Sequence, residues 1–161
     1  MKAVVMGLSR QTSIREVDDA KVDNEHVLIH VKKTAICGSD KHTWADGSCP
    51  NAIIGHEYSG EVLDPGPRTD LKVGDHVTSI TQNPCMQCAS CKEGHTSFCD
   101  ANAFFPGGGQ IPGTFAEKFA ARADLVYKMD GSLSFEAGAL TEPVSVCYHA
   151  LNKSGLKPGG K

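Results

Sequence analysis

No run of like charge, no apolar stretch of membrane-spanning length, no internal repeat and no low-complexity tract occurs in this 161-residue chain. Each absence removes a class of function. Sixteen basic against nineteen acidic residues leave a formal charge of -3, which offers no electrostatic footprint for nucleic acid or for an anionic membrane. The opening Met1-Lys2-Ala3-Val4-Val5-Met6-Gly7 has too short an apolar run for a signal peptide. No later segment approaches the roughly 20 apolar residues of a membrane span. The expected partner is therefore a small molecule, and the expected location is the cytoplasm.

Cysteine, by contrast, is plentiful. Of the seven cysteines, Cys85, Cys88, Cys91 and Cys99 crowd together at metal-ligand spacing, which fits a reducing compartment better than a secreted disulfide framework. An odd count also rules out complete pairing. A domain of this size buries roughly 68 to 70% of the surface its unfolded chain exposes, so a core needs no disulfides.

Residues 3–6 read as a short strand, and residues 25–35 alternate Val27, Ile29 and Val31 against His30 and Lys32, the period of a half-buried strand. Further short strands are expected at 59–63, 75–80, 115–119 and 125–127, with turn signals such as Asp64-Pro65-Gly66-Pro67 between them. Many short strands predict a mainly β, partly closed barrel. Helix is expected only late. Ser134 caps a turn with Glu136 in its first positions, and Pro143 suits the first position of a second helix carrying Val144, Cys147, Tyr148 and Leu151 on one face. A residue before proline is pushed out of the helical region, so Glu142 should project from the kink, as a cap or as a functional carboxylate. Phe105-Pro106-Gly107-Gly108-Gly109-Gln110 has the wrong glycine spacing for a nucleotide-binding loop, and a flexible surface loop is expected there.

Two groups of residues can carry metal chemistry. Cys37 is answered by His56-Glu57, a thiol with an imidazole and a carboxylate. Zinc accepts sulfur, nitrogen and oxygen together, and three protein ligands leave one position open for a substrate oxygen. Adjacent side chains on an extended strand face opposite ways, so His56 and Glu57 require a bend or first helical turn, which Gly55 permits. Taken alone, Cys37 would better be read as a buried core thiol and His56-Glu57 as an ordinary surface pair, since free cysteines are usually buried and inert. The second group, Cys85, Cys88, Cys91 and Cys99, can close a tetrahedron with no open position, as structural zinc does. An iron-sulfur cluster is its alternative.

Cys37-Gly38-Ser39-Asp40, Gly55-His56-Glu57, Val73-Gly74-Asp75, the four-cysteine segment, Gly113-Thr114-Phe115-Ala116-Glu117 and Thr141-Glu142-Pro143, in that order, resemble the zinc-dependent medium-chain dehydrogenases. The resemblance covers nearly the whole chain and is to the sorbitol and threonine dehydrogenase branch. It implies a GroES-like catalytic domain over 1–161, with a structural zinc lobe at about 84–100 and a helical lead at 134–161 into a nucleotide-binding domain. It further implies a homo-oligomer moving hydride between a secondary alcohol or polyol and NAD or NADP. By motif position, Cys37, His56 and Glu57 are the catalytic zinc ligands, with Glu142 a ligand or near-ligand that marks the polyol branch. Ser39 takes the alcohol proton, His42 passes it to solvent, and Asp40 orients His56. The bland alternatives are a turn serine, a loop histidine and a turn aspartate. Two departures stand out: a shortened segment between Cys37 and His56 carrying Trp44 and Cys49, where the family walls its substrate pocket, and Met86-Gln87 with Ser97-Phe98 in the lobe. The dinucleotide fingerprint is missing from these residues, so the chain alone is expected to bind zinc without turnover. A non-catalytic zinc-stabilised binding module is the competing reading. A cysteine-rich nucleic-acid binder is a weaker one, set against the acidic balance.

Overall fold

The structure, a computed structural model, describes residues 1–80, 82–101, 111–157 and 159–160. The glycine-rich stretch at 105–110 lies outside these. Strands β1 (Lys2–Met6) and β2 (Thr12–Glu16) form an antiparallel hairpin. The main sheet holds five antiparallel strands in the order β6 (Lys118–Arg122), β3 (His26–Ala35), β4 (Glu57–Asp64), β5 (His76–Ser79) and β7 (Val126–Lys128). Both sheets are open, so the expected partial barrel takes the form of two sheets, with β1 also bridged through Ala3 to Ala116 and through Val5 to Ile53.

The alternation of β3 does what its period requires. Val27 and Ile29 are fully buried and meet Tyr58, Val62, Val77 and Phe119 in one core. Tyr58 and Phe119 pack edge to face with ring centroids 5.3 Å apart, the offset that the ring quadrupoles favour. A register shift between Val31 and Lys33 then re-phases β3, so that Thr34 lies across from Tyr58 and Ala35 across from Glu57. That bulge sets which residues reach the head of β4.

Three expectations are corrected. Strand β2 was not anticipated, because its residues are all exposed and its only apolar side chain, Ile14, is three-quarters exposed. Helix does not wait for the C-terminal part: α1 (Gly38–Asp46) begins directly after Cys37 and ends at Gly47, and a short α2 (Ala89–Lys92) lies in the cysteine lobe. Its polar sequence gave α1 no apolar stripe to detect. Finally, Ser134 caps α3 (Phe135–Ala139) as expected, its side chain accepting from the Ala137 amide, but α4 (Thr141–Ser154) starts earlier than Pro143. Pro143 is the third residue of α4, and Glu142 sits in its first turn. Proline is tolerated there because the first amides of a helix have no intrahelical partner; Val144 donates the bond back to Leu140. Val144, Tyr148 and Leu151 are exposed along α4. No helix among the described residues is long and apolar enough to cross a membrane.

Candidate active site

Two segments meet at the top of the main sheet. Cys37 follows β3 and starts α1, and its amide donates to Asp40 Oδ2 at 2.9 Å. His56 and Glu57 arrive from the other side, His56 just before β4 and Glu57 as its first residue. The required bend is at Gly55, whose φ is +99°. A Cβ there would stand 2.4 Å from the Phe115 ring, so both the backbone angle and the packing demand glycine.

This arrangement brings one donor atom each of Cys37, His56 and Glu57 within 4.8 Å of one another. Donors on a tetrahedral zinc ion stand about 3.3 to 3.8 Å apart, given bonds of 2.0 to 2.3 Å. The three side chains therefore fit a zinc ion with small rotamer adjustments. His56 and Glu57 are 9% and 7% exposed, and burial of a carboxylate beside a thiol is costly unless a cation joins them. Asp40, 6% exposed, touches both halves of the cluster: besides the Cys37 amide, its Oδ1 lies 3.7 Å from His56 Nδ1. That distance is too long for a direct hydrogen bond but places the charge squarely against the ring.

Ser39 and His42 are exposed on α1, three residues apart and so on one side of it. Glu142 is half-buried in the first turn of α4 and stays outside the three-donor group. Burial pushes its carboxyl above the ordinary range, with His56 opposing the shift and Glu57 adding to it. Glu142 is thus close enough to His56 and Glu57 for their charges to act on it. It also lines a cavity of about 750 Å³ together with Thr78, Ser79, Tyr127 and His149. Trp44, in the segment expected to wall a substrate pocket, belongs to α1 and lines a different cavity of about 450 Å³ with Met6, Ile54, Phe115 and Asp40.

The second cluster forms as its spacing predicts, with the four sulfurs of Cys85, Cys88, Cys91 and Cys99 within 4.8 Å of one another. Cys85 Sγ accepts from the amides of Gln87 and Cys88, and these bonds lower the Cys85 thiol to about 6. Burial, with the neighbouring thiols, pushes Cys91 up. Four thiols this close resist being thiolates together, and a divalent cation removes that conflict. Arg122 of β6 anchors the lobe through the Pro84 carbonyl at 2.7 Å.

Sequence reasoning overlooked Thr34 and Thr114. Thr34 Oγ1 donates to the Glu57 carbonyl at 3.0 Å and lies 3.2 Å from Thr114 Oγ1. Gly113-Thr114-Phe115 was legible as a motif, but no local signal assigned it a contact.

A β domain with a three-donor cluster at a strand mouth and a closed four-thiol lobe is the build of a zinc-type dehydrogenase domain. Residues 23–131 match the alcohol dehydrogenase GroES-like domain. The chain is 36% identical to sorbitol dehydrogenase of Bacillus subtilis, over 99% of this chain and 47% of that one. It is 38% identical to D-xylulose reductase A of Aspergillus niger, over 86% of this chain and 41% of that one. The crystal structure of galactitol-1-phosphate dehydrogenase from Escherichia coli superposes with a TM-score of 0.87 at 29% identity, covering 94% of this chain and 44% of that chain. The chain belongs to the medium-chain alcohol and polyol dehydrogenases. It spans about half the length of the relatives it matches.

Proposed function

We propose that this chain is the metal-binding catalytic domain of a polyol dehydrogenase that oxidises a secondary alcohol with NAD or NADP. The observation that carries the reading is the convergence of Cys37, His56 and Glu57 at the mouth of β4. A polyol is favoured over a simple alcohol by the similarity to a sorbitol dehydrogenase and a xylulose reductase. Zinc, when bound, supplies a Lewis acid that makes an alcohol easier to deprotonate. The residues do the rest. Ser39 accepts the hydroxyl proton while passing its own to His42, which, exposed three residues on, releases a proton to solvent. Asp40, whose carboxylate stands 3.7 Å from His56 Nδ1, would orient the His56 ring once a small shift closes that gap to a hydrogen bond. Glu142 acts as an outer carboxylate, because a third anion beside ionised Cys37 and Glu57 would leave the site net negative around a dication.

Metal analysis of variants tests this. The parent should hold two zinc equivalents, Cys37→Ser or His56→Ala one, and Cys91→Ser only that of the strand-mouth site. Glu57→Ala should weaken the strand-mouth site more than Glu142→Ala does. Equal losses would put both carboxylates on the metal, and a parent with metal only in the cysteine lobe would sink the proposal. Titration of the 161-residue chain with NAD and NADP, followed by a polyol screen with zinc present, should show neither saturable binding nor turnover; either result would overturn the expectation that these residues bind zinc without turnover.

A further inference from the structure

We propose that Thr114 and Thr34 form a hydroxyl relay that positions the His56-Glu57 ligand pair; the inference rests on the metal reading of Cys37, His56 and Glu57. The chain of contacts runs in one direction. Thr34 Oγ1 lies 3.0 Å from the Glu57 carbonyl, which can only accept, so the single hydroxyl proton of Thr34 is committed there. The 3.2 Å contact between the two hydroxyls then requires Thr114 to donate to Thr34. Thr114 has no exposed surface, so its proton has no water to turn to, and an unmade bond would carry the cost of a buried polar group.

The same segment grips the approach to the ligands. The amides of Gly113, Phe115 and Thr114 donate to the carbonyls of Ile53, Ile54 and Gly55 at 2.7, 2.9 and 3.0 Å. These are the three carbonyls immediately before His56. Glycine is needed at 113 for the approach, since a Cβ would stand 2.4 Å from the Ile54 carbonyl carbon. The backbone on both sides of His56 is thereby held, upstream by three amides and at Glu57 by the relay. Neither threonine is placed against a substrate or the metal, so both are positioning residues. The Glu57 carbonyl belongs to the peptide that leads into Tyr58, so the relay fixes the backbone directly behind the Glu57 ligand while the three amides fix the backbone directly ahead of His56.

Cobalt uptake by the full 161-residue chain separates positioning from mere support of the fold, since the lobe in the same molecule serves as the internal standard. Thr114→Val and Thr34→Val should each weaken Co²⁺ binding at the strand-mouth site by about 10-fold and shift its d–d band. The cobalt–thiolate absorption and affinity of the lobe should stay unchanged. Thr114→Ser, which keeps the hydroxyl, should restore both readings. Parent-like affinity and band in the valine variants would overturn the relay, as would equal losses at both sites or a serine variant that behaves like valine. If Thr114→Val does not fold, Thr34→Val reads the same relay from an exposed position, and an unchanged band there is decisive against it. A parent chain that takes cobalt only into the lobe would refute the metal reading, and the relay with it.

Discussion

Met86 has a φ of +57°, inside the turn where Cys85 Sγ collects the amides of Gln87 and Cys88. A side chain in that left-handed region costs about 1 to 2 kcal/mol. The cost is accepted because the turn aims two amides at one sulfur, which favours the thiolate that a metal needs. Met86→Gly should therefore stabilise the lobe by about 1 kcal/mol, somewhat reduced by the greater freedom of glycine in the unfolded chain. Slower loss of lobe zinc to a chelator would show it; faster loss would contradict it. The spacing of the four cysteines was legible in the sequence, since ligand separation along a chain is a local property. The left-handed residue was not, because nothing in Met86 itself favours that angle.

Among the elements, the junction of β4, β5 and β7 depends on Asp75. Its carboxylate accepts from the Lys72 amide at 3.0 Å and from Lys128 Nζ at 2.7 Å, with the side chain 7% exposed. The Lys128 bond, aided by the Lys72 amide and the lysine charges, holds the carboxyl below its ordinary 3.8. The unfolded chain consequently binds the proton more readily than the folded one. The stabilisation is complete above about pH 4 and is lost as the pH falls below that, through the folded value. Urea midpoints of Asp75→Asn should then fall furthest below the parent at neutral pH and approach it in acid. A difference that is constant from pH 7 to pH 3 would show that charge is not what Asp75 contributes. The strands here were readable from alternation and turn residues, whereas α1 was not: its polar face pattern carries no helical stripe, and it forms because Asp40 caps the Cys37 amide.

For the whole molecule, the two donor clusters differ in what would close them around a metal. One offers four thiols and the other three donors, which would leave a position open. Removal of zinc by a chelator should accordingly be biphasic, with the strand-mouth metal leaving first and the lobe metal later, the second phase accompanied by local unfolding. The five-stranded sheet should survive both, since its core of Val27, Ile29, Tyr58 and Val77 lies outside the lobe. Loss of far-ultraviolet strand signal with the first metal would contradict this. The core itself should be sensitive: Ile29→Ala, at a fully buried position, is expected to cost about 2 to 5 kcal/mol in a urea titration.

The sequence by itself determined the donor types, the closed four-cysteine set, the need for a bend at Gly55 and most of the strands, because each of these follows from residue chemistry or from spacing over a few positions. Only the tertiary structure decided that Asp40 lies between Cys37 and His56, that Glu142 belongs to the first turn of a helix, and that Thr34 and Thr114 support Glu57. The contact of Asp40 with His56 spans 16 positions and that of Thr34 with Thr114 spans 80. Which of them form depends on the bulge in β3 and the close approach of 113–115 to 53–55, and strand register is fixed by packing across the sheet, which no local stretch of sequence contains.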